Sequence, residues 1–193
     1  MPGDAYRRVH EIAVDQHGYF TTEQAAEANV GRHSLAKMCE RGTIQRLAQG
    51  VYLDTLAPAS TLGPYMAATL WPRGTRGVLS HQTALALLDL SDVSPDRIHL
   101  TIPPQVRVRR TVPRQYVLHH ASLEPREITY VEGIPVTTAY RAIRDCHAAH
   151  LGAALLRQAI EDGRRTGRLS AREAEILEQE ILMTGDTGEN ASG

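Results

Sequence analysis

The sequence predicts an α+β fold in two parts, and three observations carry the prediction. Between Tyr6 and Leu53, three runs with helical apolar spacing are followed by two short extended runs joined at a glycine. A polar break, Asp54 to Ser60 (DTLAPAS), comes next. Beyond it, extended segments such as IHLTI at 98–102 interleave with amphipathic ones such as Leu151 to Gly163. The expected division is residues 1–56, residues 61–183 and a tail at 184–193. The tail is rich in glycine and acid, has no periodicity, and is expected to be disordered.

The first part reads as a winged helix-turn-helix. Tyr6 to Gln16 forms the first helix, with Tyr6, Val9, Ile12 and Ala13 inward and His17-Gly18 closing it. Phe20 precedes a hydroxyl cap at Thr21 or Thr22 and is placed as a hydrophobic staple. EQAAEA is a short second helix, and Asn29-Val30-Gly31 turns the chain. Arg32 to Arg41 is the third helix, with Leu35, Met38 and Cys39 on one face and Gly42 ending it in a left-handed conformation. Ile44–Leu47 and Val51–Leu53 then form a hairpin through Ala48-Gln49-Gly50. In such motifs the second helix of the helix-turn-helix enters the DNA major groove.

Charge follows that pattern. Residues 31–50 carry Arg32, Lys37, Arg41 and Arg46 against Glu40, a net of 4 − 1 = +3. Residues 1–30 carry two arginines and five acids, a net of −3. The whole chain is near neutral, at −1, so nucleic-acid binding must rest on a local patch. Arg32, His33 and Ser34 at the helix start are placed to reach base edges, and Ala36 to meet a thymine methyl. Lys37, Arg41 and Arg46 are placed to hold phosphates, and Thr21 and Thr22 to seat the motif on the backbone. A second basic run lies between two strands of the second part. Residues 97–114 contain five arginines and no acid, and Arg107, Arg109 and Arg110 lie close together in it. It offers either a further phosphate-contacting loop or a docking site for an acidic or RNA-bound partner.

In the second part, Leu62 to Trp71 reads as a helix stopped by Pro72, followed by a loop at Arg73 to Gly77. Ser80 caps HQTALALLDL, with Ala84, Leu85, Leu87 and Leu88 inward. Ile98–Ile102 and Tyr116–His120 are strands, and Ile128–Val131 with Ile134–Val136 form a hairpin around Glu132-Gly133. Thr137 or Thr138 starts a helix through about His147, Leu151 to Gly163 forms another, and Ser170 caps the last.

Catalytic and cofactor motifs are absent. There is no phosphate-binding glycine loop, no dinucleotide fingerprint and no kinase signature, and no cofactor is expected. Nine histidines show no HExxH or HxH spacing, and the two cysteines, Cys39 and Cys146, have no metal-ligand partners at motif distance, so no metal is expected. Both cysteines read as buried free thiols in a reducing cytoplasm. Ser80 and His81 are neighbours, but successive residues on a helix point about 100° apart and make no nucleophile–base pair. Few aromatics argue against a single-strand stacking platform. No signal peptide or membrane-spanning run is seen, which places the chain in the cytoplasm without membrane contact.

GYFTTEQAAEANVGRHSLAKMCERGTIQRLAQGVYLD resembles the N-terminal winged-helix domain of AbiEi-type antitoxins of type IV toxin–antitoxin systems, in the mycobacterial and actinobacterial branch. SHQTALALLDLSD followed by IHLTIPP, and later GIPVTTAYRAIRD, resemble that family's second domain. The resemblance implies a nucleotidyltransferase-like toxin as partner. It also implies repression of the chain's own operon through double-stranded promoter DNA with inverted repeats, two copies of the motif acting as an oligomer on DNA. The second domain would then serve toxin neutralisation, by binding or by covalent modification such as the phosphorylation carried out by an atypical protein kinase. For the enzymatic route the candidates are Ser80, His81 and Asp145. A regulator or protein-binding module that leaves the toxin unmodified is a further alternative. The third helix carries fewer arginines than relatives do, and Gly31 stands where they often have a capping hydroxyl.

Overall fold

Tyr6, Val9 and Ala13 recur at three- and four-residue intervals and form the buried face of helix α1 (Asp4–Val14) in the computed structural model, which describes residues 3–185, with side chains to 182. His17 and Gly18 both take left-handed backbone conformations, and Gly18 N–H closes onto Ala13 C=O at 2.7 Å. The helix therefore ends at Val14, two residues earlier than its apolar spacing suggests. The chain then enters a strand that the sequence does not announce, β1 (Tyr19–Thr21). Three residues ahead of a helix cap are too few to show an alternating pattern.

Helix α2 (Thr22–Glu27) starts at a full capping box. Gln24 N–H donates to Thr21 Oγ1 at 3.2 Å, and Thr21 N–H donates to Gln24 Oε1 at 2.9 Å. Asn29 takes a left-handed turn, and helix α3 (Arg32–Glu40) follows, with Leu35 and Met38 buried. Gly42, at φ 71°, stops it. Strands β2 (Ile44–Ala48) and β3 (Val51–Asp54) form the wing, with a bulge between Arg46 and Ala48 and Gly50 at φ 86° in the turn. Strand β1 pairs antiparallel with β3, giving a three-stranded sheet in the order β1-β3-β2. Phe20 lies opposite Tyr52 in that register, fully buried, with its ring stacked 5.4 Å from Tyr52.

The contacts divide the chain into two units. The first runs to Gly77 and takes in Gln105–Thr111 and Glu132–Ile134. It includes helix α4 (Gly63–Leu70), which starts with Pro64 in its first turn. A Cβ at Gly63 would sit 2.8 Å from the Tyr19 ring, so any other residue there would push that ring aside.

The second unit holds the rest. Its sheet runs in the order β6-β5-β4-β8-β7, from β4 (Val78–Leu79), β5 (Ile98–Ile102), β6 (Tyr116–His120), β7 (Ile128–Val131) and β8 (Ile134–Thr137). Strands β5 and β6 are parallel neighbours in register from Ile98↔Tyr116 to Ile102↔His120. The central strand β4 has two residues, is antiparallel to β5 and parallel to β8, and left no sequence signal. Glu132 and Gly133, both at positive φ, make the tight turn between β7 and β8. Helices α5 (His81–Leu87), α6 (Ala139–Ala148), α7 (Ala153–Arg165) and α8 (Ala171–Gly185) complete the unit. Leu79, Leu85, Leu100, Ile102, Val136 and Ile143 are buried in its core. Leu87, expected inward, is only half-buried, because α5 ends there; Ala84, Leu85 and Leu88 are buried as expected. The tail expected to be disordered lies, past Gly185, outside the described residues. Among the described residues no helix is long and apolar enough to cross a membrane.

Candidate nucleic-acid interface

Helix α3 buries Leu35 and Met38 and leaves Arg32, His33, Ala36, Lys37, Glu40 and Arg41 exposed, the face expected from its periodicity. Its cap residue is Gly31, which offers no side chain, so the first-turn N–H groups face outward without a hydroxyl partner from the cap. Such a terminus favours anionic groups.

The structure splits the expected contact residues into two grooves of the first unit. Thr22, Arg32, Ala36 and Arg46 line one, with Cys39 at its wall. Gln49 and Arg73 join them, two residues that sequence reading did not assign. Ser34, Lys37 and Arg41 line the other, against Ala5 and Tyr6 of α1. Ser34 is half-buried there, while Arg32 and His33 are exposed at the helix start. Thr21 differs from Thr22: its hydroxyl accepts the Gln24 N–H and serves the helix cap. Cys39, expected buried, is half-buried, because the groove runs past it; Cys146 is buried, and burial pushes its thiol up to about 12.

Arg107, Arg109 and Arg110 of the second basic run also belong to the first unit. Arg110 is turned inward. It donates to Gln49 C=O in the wing turn at 2.9 Å and to Trp71 C=O, and its guanidinium lies 4.0 Å over the Trp71 ring. Arg107 and Arg109 stay exposed beside it, and the loop forms a groove with Gln49 and Arg73. Thus one arginine of the trio anchors the loop at the wing, and the other two add positive charge in the groove that Arg73 also lines.

A family model described as a transcriptional regulator, AbiEi antitoxin, matches residues 7–53, which span α1, α2, α3 and the wing. Residues 7–53 are thus similar to an AbiEi antitoxin-type transcriptional regulator. Among solved structures, the crystal structure of the RV2827C protein from Mycobacterium tuberculosis is similar, at 17% identity and a TM-score of 0.56. The match covers 92% of this chain and 72% of that one, and it shows a shared fold that extends past residues 7–53. No curated protein matches the chain.

Beyond residues 7–53, the second unit places Ser80, His81 and Asp145 in surroundings that differ from the sequence reading. They are not unpaired. Ser80 is fully buried, accepts a hydrogen bond from Thr101 Oγ1 at 2.8 Å and lies 3.0 Å from His81 Nδ1. Ser80 and His81 do meet, because His81, the first residue of α5, sits at φ 53° and Ser80 is extended, so the 100° rule of successive helical residues does not hold. Asp145 Oδ1 pairs with Arg141 Nε at 2.8 Å, and Arg141 also pairs with Glu127. Burial holds the Asp145 carboxyl above its usual range despite Arg141. His81, His99 and His119 converge from α5, β5 and β6. Burial lowers all three, His81 and His119 to about 4, with the neighbouring imidazoles adding to the effect at both. No spacing motif announces this cluster, since the strands that supply it pair only in the folded sheet.

Proposed function

We propose that this chain is the autoregulating antitoxin of a type IV toxin–antitoxin pair. The observation that carries the reading is the AbiEi antitoxin match at 7–53, with the cationic face of α3 and the wing built on it. Arg32 and His33 read base edges from the helix start, and Ser34 supports them from the flank. Lys37, Arg41 and Arg46 hold phosphates on either side, with Thr22 at the edge of the groove. Two copies bind the inverted repeats of the operon's own promoter. The second unit neutralises a nucleotidyltransferase-like toxin.

The test is titration of a promoter duplex with the wild type and with Lys37→Ala/Arg41→Ala at several salt concentrations. Each lost phosphate contact should lower the salt slope by about 0.9 and weaken binding to any sequence alike. Equal slopes would remove these two residues from the interface, and no binding by the wild type would remove the repressor reading. For the second unit, the toxin encoded beside this chain is purified with it and weighed. Co-elution at unchanged mass supports neutralisation by binding; an added phosphate makes the chain a kinase.

A further inference from the structure

We infer that His81, His99 and His119 form a binding site for one divalent transition-metal ion of the zinc class. The site is independent of the DNA reading and lies wholly in the second unit.

Geometry is the first argument. One ring nitrogen of each histidine lies within 4.8 Å of one on each of the others. His99 Nδ1 and His119 Nε2 are 3.1 Å apart. Two nitrogen ligands on a tetrahedral zinc stand about 3.3 Å apart, given Zn–N bonds of about 2.0–2.1 Å. The His81 ring stacks on His119 at 3.5 Å, so coordination by all three requires a rotation of that ring toward the centre.

The surroundings supply what such an ion needs. A divalent ion binds the neutral imidazole through a ring nitrogen, and each of the three rings offers one here. With Nδ1 of His81 engaged by Ser80, Nε2 is the nitrogen left for the ion, and Ser80 is itself fixed by Thr101. That is the outer support that ligating histidines usually have. Asp145 acts electrostatically on His119, and its Oδ2 is buried with no hydrogen-bond partner among the described side chains. Asp145, Glu127, Arg141 and Arg97, which acts on His99, sum to −1 − 1 + 1 + 1 = 0, so no net positive charge of these groups opposes a cation. Three imidazoles with a carboxylate nearby suit zinc, cobalt, nickel or copper rather than magnesium or calcium, which prefer all-oxygen shells. Asp145 or water completes the coordination.

The experiment strips the full chain with a chelator and titrates it with Co2+, then with Zn2+. The expected result is one equivalent of Co2+ with the visible absorption of a low-coordinate ion, displaced by Zn2+. His99→Gln/His119→Gln should lower the affinity at least tenfold, and His120→Gln, at the exposed end of the same strand, should leave it unchanged. Absence of saturable binding, or equal binding by the double variant, overturns the site. Should the variant lose its circular-dichroism signal, Zn2+ titration of the wild type followed through its imidazole resonances decides. Shifts at His81, His99 and His119 at one equivalent support the site, and shifts confined to other histidines overturn it.

Discussion

Asp54 shows how one residue ties the winged-helix unit together. Its side chain is excluded from solvent, yet each oxygen is engaged. Oδ1 accepts from Tyr6 Oη at 2.9 Å and from Leu56 N–H at 3.0 Å, and His10 Nδ1 stands 2.5 Å from Oδ2. Burial, with Asp54 beside it, pushes the Tyr6 hydroxyl up to about 12. Tyr6→Phe removes one donor and keeps the ring, leaving Oδ1 under-satisfied. It should cost about 1–3 kcal/mol in urea unfolding; an unchanged midpoint would show that the bond contributes nothing. From sequence, Tyr6 is legible as an inward position on a helix and Asp54 only as part of a polar break. Their partnership spans 48 residues and is a product of the fold. The same holds for Arg110, whose charge is plain in the sequence while its seat over Trp71 is not.

At the scale of elements, what is local was legible. The caps at Thr21 and Ser170, the turn at Asn29, the stop at Gly42 and the strands at 98–102 and 116–120 all stand where residue chemistry puts them. The misses include the short strands β1 and β4, which have too few residues to carry a period and exist because neighbours pair with them, and the hydroxyls of Ser80 and Thr138, which hold the cap positions but make no cap hydrogen bond. Helix α8 offers a test of the cap. Glu173 accepts from Ser170 Oγ at 2.6 Å and from Ser170 N–H at 2.8 Å. The hydroxyl first, and then the N–H, hold its carboxyl below the usual value of 4.5. Because the folded value lies below the unfolded one, the stabilisation is present above pH 4.5 and fades as pH falls through the folded value. In melting curves across that acid range, Ser170→Ala should make the loss of Tm with falling pH shallower. Identical pH profiles would show that the cap does not couple to folding.

For the whole molecule, the reach of the candidate DNA surface depends on a loop distant in sequence from the wing. Arg107 and Arg109 lie exposed in a segment that Arg110 holds against Gln49. If both contact phosphates, Arg107→Ala/Arg109→Ala should reduce the salt slope of promoter binding by about 1–2, leaving sequence preference intact. An unchanged slope would confine the interface to α3 and the wing. The sequence by itself determined the winged helix-turn-helix, the faces of its helices, the sign of its charge and the α+β class, since these follow from periodicity, caps and composition within short windows. The tertiary structure alone decided which cations share a groove, that Arg110 is an anchor, and that three histidines from α5, β5 and β6 meet. The physical reason is that strand pairing and side-chain burial join residues tens of positions apart, and no local pattern encodes which of them will touch.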